Sequence, residues 1–328
     1  MAYTARTTPT DGIDTVQLGD SVRDVQLSIA PSVGNMAYAW TVHAKNYLHF
    51  PYNSVADFAR QPRLCGVPFL APWANRVDGD SFWANGKRYV FNPELGNLRR
   101  DGNKKPIHGL LGFSKEWKLV EAKADADSAW SVSRMEFWRY PDLMAQFPFP
   151  HTLTMTYRLR GGVVEVETAI ENHGVDPMPV AVGYHPYFRL HGAPRDQWHV
   201  HFAARDHMTL NAQLIPTGAA KPVEFEDPLS LAPTQLDDVF GNLVRDADGK
   251  ARFWVEGGRE RVTVTYGPLY KTAVVYAPRG QEFICFEPMS AITNGFNLAH
   301  EGVYKELQSV APGQTWRESF WLQADIRG

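Results

Sequence analysis

The sequence is poor in cysteine, in surplus positive charge and in long apolar runs. It has two cysteines, Cys65 and Cys285. Two are too few for a disulfide framework or a four-cysteine zinc site, so we expect buried, reduced thiols. Lysine and arginine number 33 against 36 aspartates and glutamates, which gives a formal net charge of −3. Because nucleic acids select surfaces with clustered positive charge, this balance argues against a nucleic-acid partner.

Membrane-spanning and secretory patterns are also missing. No stretch approaches the run of about 20 apolar residues that a membrane helix requires. Residues 1–14 lack the apolar core of a secretory signal. We therefore expect a cytoplasmic protein with no membrane partner. Hydrophobic residues nevertheless make up 44% of the 328 residues, which is enough for a large core and excludes a disordered chain.

The common catalytic and cofactor motifs are absent as well. The chain has no phosphate-binding loop, dinucleotide-binding glycine motif, zinc-protease motif or hydrolase nucleophile elbow. His199 and His201 have a spacing that could ligate a metal. No nearby acid or cysteine completes such a site, so we interpret the pair as part of a solvated strand face. The sequence thus predicts neither a metal nor a cofactor.

What the chain does contain is apolar alternation with a period of two. Within 152–170, apolar side chains fall on one face on either side of a Gly-Gly pair at 161–162. Gly-Gly between two alternating runs is typical of a β-hairpin, because tight hairpin turns need positive φ angles. The same pattern recurs in 253–266 around a Gly-Gly pair at 257–258. The sequence therefore predicts antiparallel strands in both regions.

Helical periodicity is confined to one short candidate, residues 53–60, with Asn53 or Ser54 as its cap. No linker, composition shift or fixed-period repeat divides the chain. Many short strands separated by loops predict a mainly β fold, a large antiparallel β-sandwich in a single domain over 1–328.

Ionisable side chains stand in apolar or Pro/Gly surroundings in four segments. They are Asn75-Arg76 after a proline-rich stretch, His108 before a glycine, His185 before a proline, and Glu287 after the apolar run FICF. An arginine fork suits sugar hydroxyls or a carboxylate, and a histidine among aromatic rings can serve as an acid near pH 7. A carboxylate that ends an apolar strand is costly unless it has a partner or a function. Each also has a structural alternative, namely an ion pair, an idle loop position or a bond to a core carbonyl.

Taken in order, these segments resemble the aldose 1-epimerase (galactose mutarotase) family. The shared features are an N-R loop, an H-G motif, a G-x-H-P-Y-F motif, an L-D-x-x-F motif, and a strand ending in Glu with an N-x-F-N-like stretch after it. In this chain they are Asn75-Arg76, His108-Gly109, Gly183 to Phe188, Leu236 to Phe240, and Glu287 with Asn294 to Asn297. The resemblance runs from about residue 25 to 325, and the order of its five motifs makes it specific.

The resemblance implies a galactose mutarotase-like supersandwich and an isomerase. The activity that it implies is that of an aldose 1-epimerase, which interconverts the α and β anomers of a free aldohexose. By this resemblance Glu287 is the catalytic base and His185 the catalytic acid. The expected partner is a small-molecule sugar, and the expected assembly is a monomer or homodimer.

The resemblance also implies a set of substrate-binding residues: Asn75, Arg76, His108 and Asp237. Asp237 is chosen over Asp238 because it stands three residues before Phe240, as in the family pattern. Trp73 and Trp83 are candidate platforms for stacking against a sugar, with core packing as the alternative.

The chain departs from the family pattern in two places. The Gly-Arg that usually precedes the N-R pair is missing from residues 70–76, and Glu287 is followed by proline as in the divergent bacterial branch. These departures concern the substrate more than the reaction. Three alternatives stay open: a hexose-6-phosphate 1-epimerase, which needs a further Arg or Lys for the phosphate; a glycosidase that uses Asp237 and Glu287; and a non-catalytic carbohydrate-binding protein.

Overall fold

A computed structural model describes residues 2–327 of the chain, with about 49% of the structure in strands and 8% in helices. Strands β1 to β13 are Tyr3–Thr10, Ile13–Asp20, Val25–Ala30, Met36–Val42, Lys45–Asn46, Phe69–Leu70, Ser81–Ala84, Lys87–Val90, Lys118–Ala124, Ala129–Glu136, His151–Arg160, Val163–Asn172 and Met178–Val180. Strands β14 to β26 are Gly183–Tyr184, Tyr187–Phe188, His199–His201, Ala204–Leu210, Pro216–Pro222, Leu229–Ser230, Leu236–Leu243, Ala251–Gly257, Glu260–Tyr266, Thr272–Ala277, Ile284–Met289, Gln308–Val310 and Thr315–Ile326.

Helices are few and short, as the scarcity of helical periodicity predicts. The α-helices α1 to α3 are Val55–Arg60, Pro141–Gln146 and Gly295–His300, and single 3-10 turns lie at Pro93–Leu95, Phe137–Arg139 and Arg195–Gln197. Helix α1 begins after Ser54, whose hydroxyl accepts a hydrogen bond from the backbone N–H of Asp57 at 3.0 Å. This cap satisfies one of the free N–H groups of the first turn. No helix within 2–327 is long and apolar enough to cross a membrane.

Two large antiparallel sheets form the sandwich. One has nine strands in the order β19-β16-β21-β22-β26-β12-β11-β10-β9. The other has eight, in the order β18-β17-β20-β23-β24-β14-β6 with β15 also paired to β24. Aromatic side chains from the two sheets meet between them, with ring centroids 4.7 Å apart for Tyr184 and Phe320 and 6.2 Å apart for Phe253 and Phe286. Strands β1 to β5 make a separate five-stranded sheet, and β7-β8 and β13-β25 make two-stranded ones. The prediction of an antiparallel β-sandwich is confirmed.

The first predicted hairpin is present, with its turn at the predicted Gly-Gly pair. Strands β11 and β12 pair from Arg160 opposite Val163, and both turn glycines have positive φ, at 60° and 77°. In the second hairpin the turn lies one residue later than predicted. Gly257 still belongs to β21 and pairs with Glu260, so the two turn residues are Gly258 and Arg259. Gly258 has φ of 61° and is the first of the two turn residues. A two-residue turn with positive φ only at its first position needs glycine only at that position.

The core is apolar, and both cysteines lie inside it. The largest cluster of buried side chains contains residues from Tyr3 to Leu322, and Cys65 and Cys285 each belong to a smaller buried cluster. Cys65 and Cys285 are free and fully buried, as expected from their number. Burial raises the pKa of the Cys65 thiol to about 12 and raises that of Cys285 as well, so both stay protonated and unreactive at neutral pH.

Candidate active site

One face of the eight-stranded sheet gathers polar groups from the adjacent strands β20, β23 and β24. Asp237 pairs with Tyr276, Tyr276 with Cys285, and Val274 with Glu287. Side chains two residues apart on a strand share a face, and directly paired residues do too. Asp237, Tyr276 and Glu287 therefore project from the same side of the sheet, although 50 residues separate the two carboxylates in the sequence.

The neighbouring aspartate projects from the opposite side. An oxygen of Asp238 lies 2.7 Å from Nε2 of His207, and the His207 ring stacks on Phe240. This ion pair engages Asp238 away from the face that carries Glu287. The strand alternation thus separates the two candidates, and Asp237 is the one that shares a face with Glu287.

Glu287 lies inside a strand, which corrects the prediction that it ends one. Strand β24 continues through Pro288 to Met289, and it pairs with β23 on one side and with β14 at Gly183. Proline removes only its own N–H donor, so neighbours on both sides can keep the strand extended past it. Glu287 is consequently 1% exposed, with its carboxyl group held by a backbone that is paired on both edges.

His185 faces Glu287 from the short connection between β14 and β15. Its backbone N–H donates to the Pro68 carbonyl at 3.0 Å, and its ring stacks flat on Tyr187 with centroids 4.5 Å apart. Nε2 of His185 lies 3.3 Å from Oε1 of Glu287, and the histidine is 6% exposed. The residues expected to be acid and base are therefore in direct contact and almost fully buried.

His108 completes a group of two imidazoles and one carboxyl. Its ring centroid lies 5.4 Å from that of His185, with the planes at 75°. The following residue, Gly109, has φ of 62°, and a Cβ there would clash with the Ala71 carbonyl oxygen. The H-G motif is thus explained by a glycine that lets the His108 loop pack against the 71–72 segment.

The Asn75-Arg76 pair is held by its own hydrogen bonds and by one residue that the sequence interpretation missed. Oδ1 of Asn75 accepts from Arg76 at the backbone N–H (2.9 Å) and at Nη1 (3.0 Å). Nε of Arg76 is 2.7 Å from Oδ2 of Asp101, whose Oδ1 accepts backbone N–H bonds from Asn103 and Lys105. The D-G-N turn signal at 101–103 was present in the sequence, but nothing local indicates which arginine Asp101 meets.

Burial controls the protonation of this site. It raises the pKa of Glu287 well above its ordinary value, and the nearby Asp237 charge adds to the shift while Arg76 opposes it. Burial also lowers the pKa of His185 to about 3, and the positive charge of Arg99 acts in the same direction. The pKa of Asp237 is raised, chiefly by burial. Burial therefore favours the form of the pair in which Glu287 is protonated and His185 is neutral.

Three buried polar atoms at this point have no hydrogen-bond partner within residues 2–327. They are Oε2 of Glu287, Nδ1 of His185 and Nδ1 of His108. Buried polar atoms are nearly always paired in folded proteins, so three unpartnered atoms with adjacent side chains call for an explanation, and a polar ligand is one. The arrangement can thus offer one carboxyl group and two imidazoles to the hydroxyls of a bound molecule.

The family assignment follows from the sequence match over these same segments. The family model for aldose 1-epimerase matches residues 26–323. The chain belongs to the aldose 1-epimerase family. A relative from Escherichia coli (strain K12), an uncharacterized protein named YphB, is 23% identical over 265 residues, covering 78% of this chain and 82% of the relative.

Solved structures of the same fold are similar over almost the whole length. A galactose mutarotase-like protein from Clostridium acetobutylicum has a TM-score of 0.86 at 21% identity, covering 99% of this chain and 98% of that one. A galactose 1-epimerase from Lactobacillus acidophilus NCFM has a TM-score of 0.75 at 14% identity, covering 99% of both chains. At these identities the likeness establishes the mutarotase-like fold.

Of the two alternatives for Trp73, stacking platform or core residue, the structure supports the core residue. Trp73 is 1% exposed and packs against Phe91 with centroids 4.9 Å apart. Trp83 is half-buried, and one face of its ring is covered by His300 at 3.8 Å and 5°. The indole N–H of Trp73 has no hydrogen-bond partner in the described residues. The apolar contacts of its ring therefore keep it buried despite one unsatisfied donor.

The two histidines with ligand-like spacing lie on an exposed strand, as interpreted from the sequence. His199 is exposed, and Nδ1 of the half-buried His201 is 2.7 Å from Asp227. Within residues 2–327 no three potential metal ligands group together. Neither histidine contributes to the cluster around Glu287.

Proposed function

We propose that this family member interconverts the α and β anomers of an aldohexose, with Glu287 and His185 as its acid/base pair. The observation that carries the proposal is the buried contact of 3.3 Å between Nε2 of His185 and Oε1 of Glu287. Anomer interconversion requires one proton to leave the O1 hydroxyl while another reaches the ring oxygen O5. A single base and a single acid side by side supply both transfers.

Each half of the reaction uses the same two residues in opposite senses. Glu287 removes the O1 proton while His185 protonates O5, and the bond between C1 and O5 breaks to give the open-chain aldehyde. Rotation about the C1–C2 bond presents the other face of the carbonyl. Ring closure then returns a proton from Glu287 to O1, and His185 takes the proton from O5, as microscopic reversibility requires.

Before the sugar binds, the proton of the pair is on Glu287, whereas the reaction steps above need it on His185. The contact between the two residues allows the proton to move. Catalysis needs an ionised Glu287 and a protonated His185, whereas burial favours the neutral pair. Both forms contain one proton, so they interconvert by transfer across the contact without any exchange with solvent. A sugar that donates O1–H to the carboxylate and accepts at O5 from the imidazolium stabilises the ionised form.

The remaining site residues are proposed to hold the sugar. The Arg76 guanidinium is oriented by Asn75 and Asp101, and it can bind two adjacent hydroxyls through its planar fork. His108 and Asp237 face the same region and can bind further hydroxyls. Fixing the reacting atoms in this way can contribute as much to the rate as the proton transfers themselves.

The test is the rate at which freshly dissolved α-D-glucose and α-D-galactose reach anomeric equilibrium, followed by polarimetry with and without the protein. We expect clear acceleration for at least one of the two sugars. Hydrolysis of aryl glycosides without any effect on mutarotation would replace this proposal with the glycosidase alternative. Sugar binding without either activity would favour the non-catalytic alternative.

A further inference from the structure

The N-x-F-N stretch at 294–297 has no part in the acid/base reaction described above, although it begins only seven residues after Glu287. Every residue from 283 to 298 is buried. Within α3 the Phe296 ring packs against Phe82, with centroids 5.1 Å apart. The helix is therefore fixed in the core directly after the strand that carries the base, and its two asparagines are buried polar groups that need partners.

Asn294 occupies the cap position of α3, but its side chain does not cap the helix. An asparagine at this position usually accepts a hydrogen bond from the first turn. Here Oδ1 of Asn294 instead accepts the backbone N–H of Asp78 at 2.9 Å. The backbone N–H of Asn294 donates to the carbonyl of Arg76 at 2.8 Å. One residue thus binds the loop that carries Arg76 at two positions.

Asn297 holds the Asn294 side chain in this orientation. Nδ2 of Asn297 donates to Oδ1 of Asn294 at 2.9 Å and lies 3.2 Å from the carbonyl oxygen of Ser81. The two asparagines are 4% and 8% exposed, so water competes little for these bonds. We call Asn294 and Asn297 the asparagine clamp.

The asparagine clamp connects the base to the arginine. On one side it is joined to Glu287 by a short buried segment, in which the N–H and the hydroxyl of Ser290 both donate to the Val182 carbonyl, at 2.9 and 2.8 Å. On the other side it is joined to the backbone of Arg76 by the hydrogen bonds given above. The separation between the Glu287 carboxyl group and the Arg76 backbone is therefore set through Asn294.

We propose that Asn294 is a positioning residue, which holds Arg76 so that a sugar bound by its guanidinium presents the O1 hydroxyl to Glu287. This inference rests on the proposed function, which makes Arg76 a sugar-binding group. A binding group contributes to the rate only when it fixes the reacting atoms relative to the base. Asn294 acts through Arg76 and touches no reacting atom. Its loss should therefore weaken what Arg76 does and nothing else.

The experiment compares Asn294→Gly with Asn294→Asp in the polarimetric assay. The φ angle of Asn294 is 61°, which glycine and aspartate both tolerate, but only aspartate keeps an acceptor for the Asp78 N–H. We expect Asn294→Gly to lower kcat/KM about tenfold, mainly through KM, and Asn294→Asp to stay within about threefold of the wild type. The matched control is Asn242→Gly, which should change neither constant, since Asn242 is exposed and has φ of 48°.

A double-mutant cycle with Arg76→Met tests whether the effect passes through the arginine. In the Arg76→Met background Asn294→Gly should lower kcat/KM by less than about a further twofold. A further tenfold loss in that background, or equal losses in Asn294→Gly and Asn294→Asp, would overturn the positioning role. Asn297→Leu is the second variant if Asn294→Gly does not fold, and we expect it to raise KM about threefold, since it removes one of the two bonds to Oδ1 of Asn294.

The NMR signal of the Arg76 Nε–H separates this inference from the proposed function, because it requires neither sugar nor turnover. This proton is donated to Asp101 and is assigned by the loss of its signal in Arg76→Met. We expect its exchange with water to become at least about fivefold faster in Asn294→Gly and to stay unchanged in Asn294→Asp.

The two proposals can then fail independently. Faster exchange in Asn294→Gly, in a protein that accelerates no mutarotation, would support the positioning role and refute the epimerase. Mutarotation by the wild type, with neither KM nor the exchange rate changed in Asn294→Gly, would support the epimerase and refute the positioning role.

Discussion

Replacing Glu287 with glutamine should destroy activity and at the same time stabilise the fold. The amide has the shape of a protonated carboxyl group but cannot take the O1 proton, so we expect kcat to fall at least about a hundredfold. Stability should change because Glu287 is 1% exposed and its pKa is raised well above 4.5, chiefly by burial. Above pH 4.5 the folded protein then binds a proton that the unfolded chain has lost.

The size of the stability effect follows from proton linkage. A folded state that binds one more proton loses about 1.4 kcal/mol per pH unit, from the unfolded pKa up to the folded pKa. His185 acts in the opposite direction, because its folded pKa of about 3 lies below the ordinary 6.5 and stability rises with pH between those values. In the wild type the two slopes cancel between pH 4.5 and 6.5, whereas Glu287→Gln retains only the rising slope of His185.

The assay is denaturant unfolding of both proteins at pH 5 and pH 6, with turnover measured in parallel. The free energy of unfolding of Glu287→Gln, minus that of the wild type, should grow by about 1.4 kcal/mol over this interval. Glu226→Gln is the matched control, since Glu226 is exposed; its difference from the wild type should not follow this slope, and its activity should be unchanged. A constant difference for Glu287→Gln would mean that Glu287 is ionised in the folded protein, and the neutral-pair argument would fail.

Three further predictions concern the same site. His185→Asn should lower kcat about a hundredfold or more while KM changes little, and a change confined to KM in a steady-state assay would make it a binding residue. The pH profile of kcat/KM should be a broad plateau, because the singly protonated pair gains a second proton only near the His185 pKa of about 3 and loses its proton at the raised pKa of Glu287. A narrow bell between the ordinary pKa values of Glu287, 4.5, and His185, 6.5, would contradict this prediction. Asp101→Asn should raise KM about tenfold with a smaller effect on kcat, since the Asp101 carboxylate is 2.7 Å from Nε of Arg76 and positions it; equal losses in both constants would assign it another role.

The strands and turns of this protein are determined by local sequence. Alternation of apolar residues decides which face of a strand is buried, because successive side chains point to opposite sides. Leu153, Met155 and Tyr157 are all buried as this rule requires. A Gly-Gly pair sets the turn at 161–162, and the Ser54 hydroxyl caps α1. These effects act over a few residues, so the sequence alone predicts them.

The sequence also determines the order of the site motifs, but it does not show that their side chains lie close together in the fold. Asn75, His108, His185, Asp237 and Glu287 are far apart in the chain, and their resemblance to the family indicates candidates without any distances. The pairing of β20, β23 and β24 puts the carboxylates on one face. The short connection between β14 and β15 puts an imidazole against one of them.

Tertiary structure alone decided the environment of each group. Whether Trp73 is a binding platform or a core residue depends on the atoms that surround it, and these come from distant segments. The partner of Arg76 depends on how the 99–107 loop folds back beside the 75–76 segment. Burial by the whole sandwich places the shared proton on Glu287 rather than on His185. A residue type carries its chemistry in the sequence, but its charge state and its neighbours are set by the packing of the complete chain.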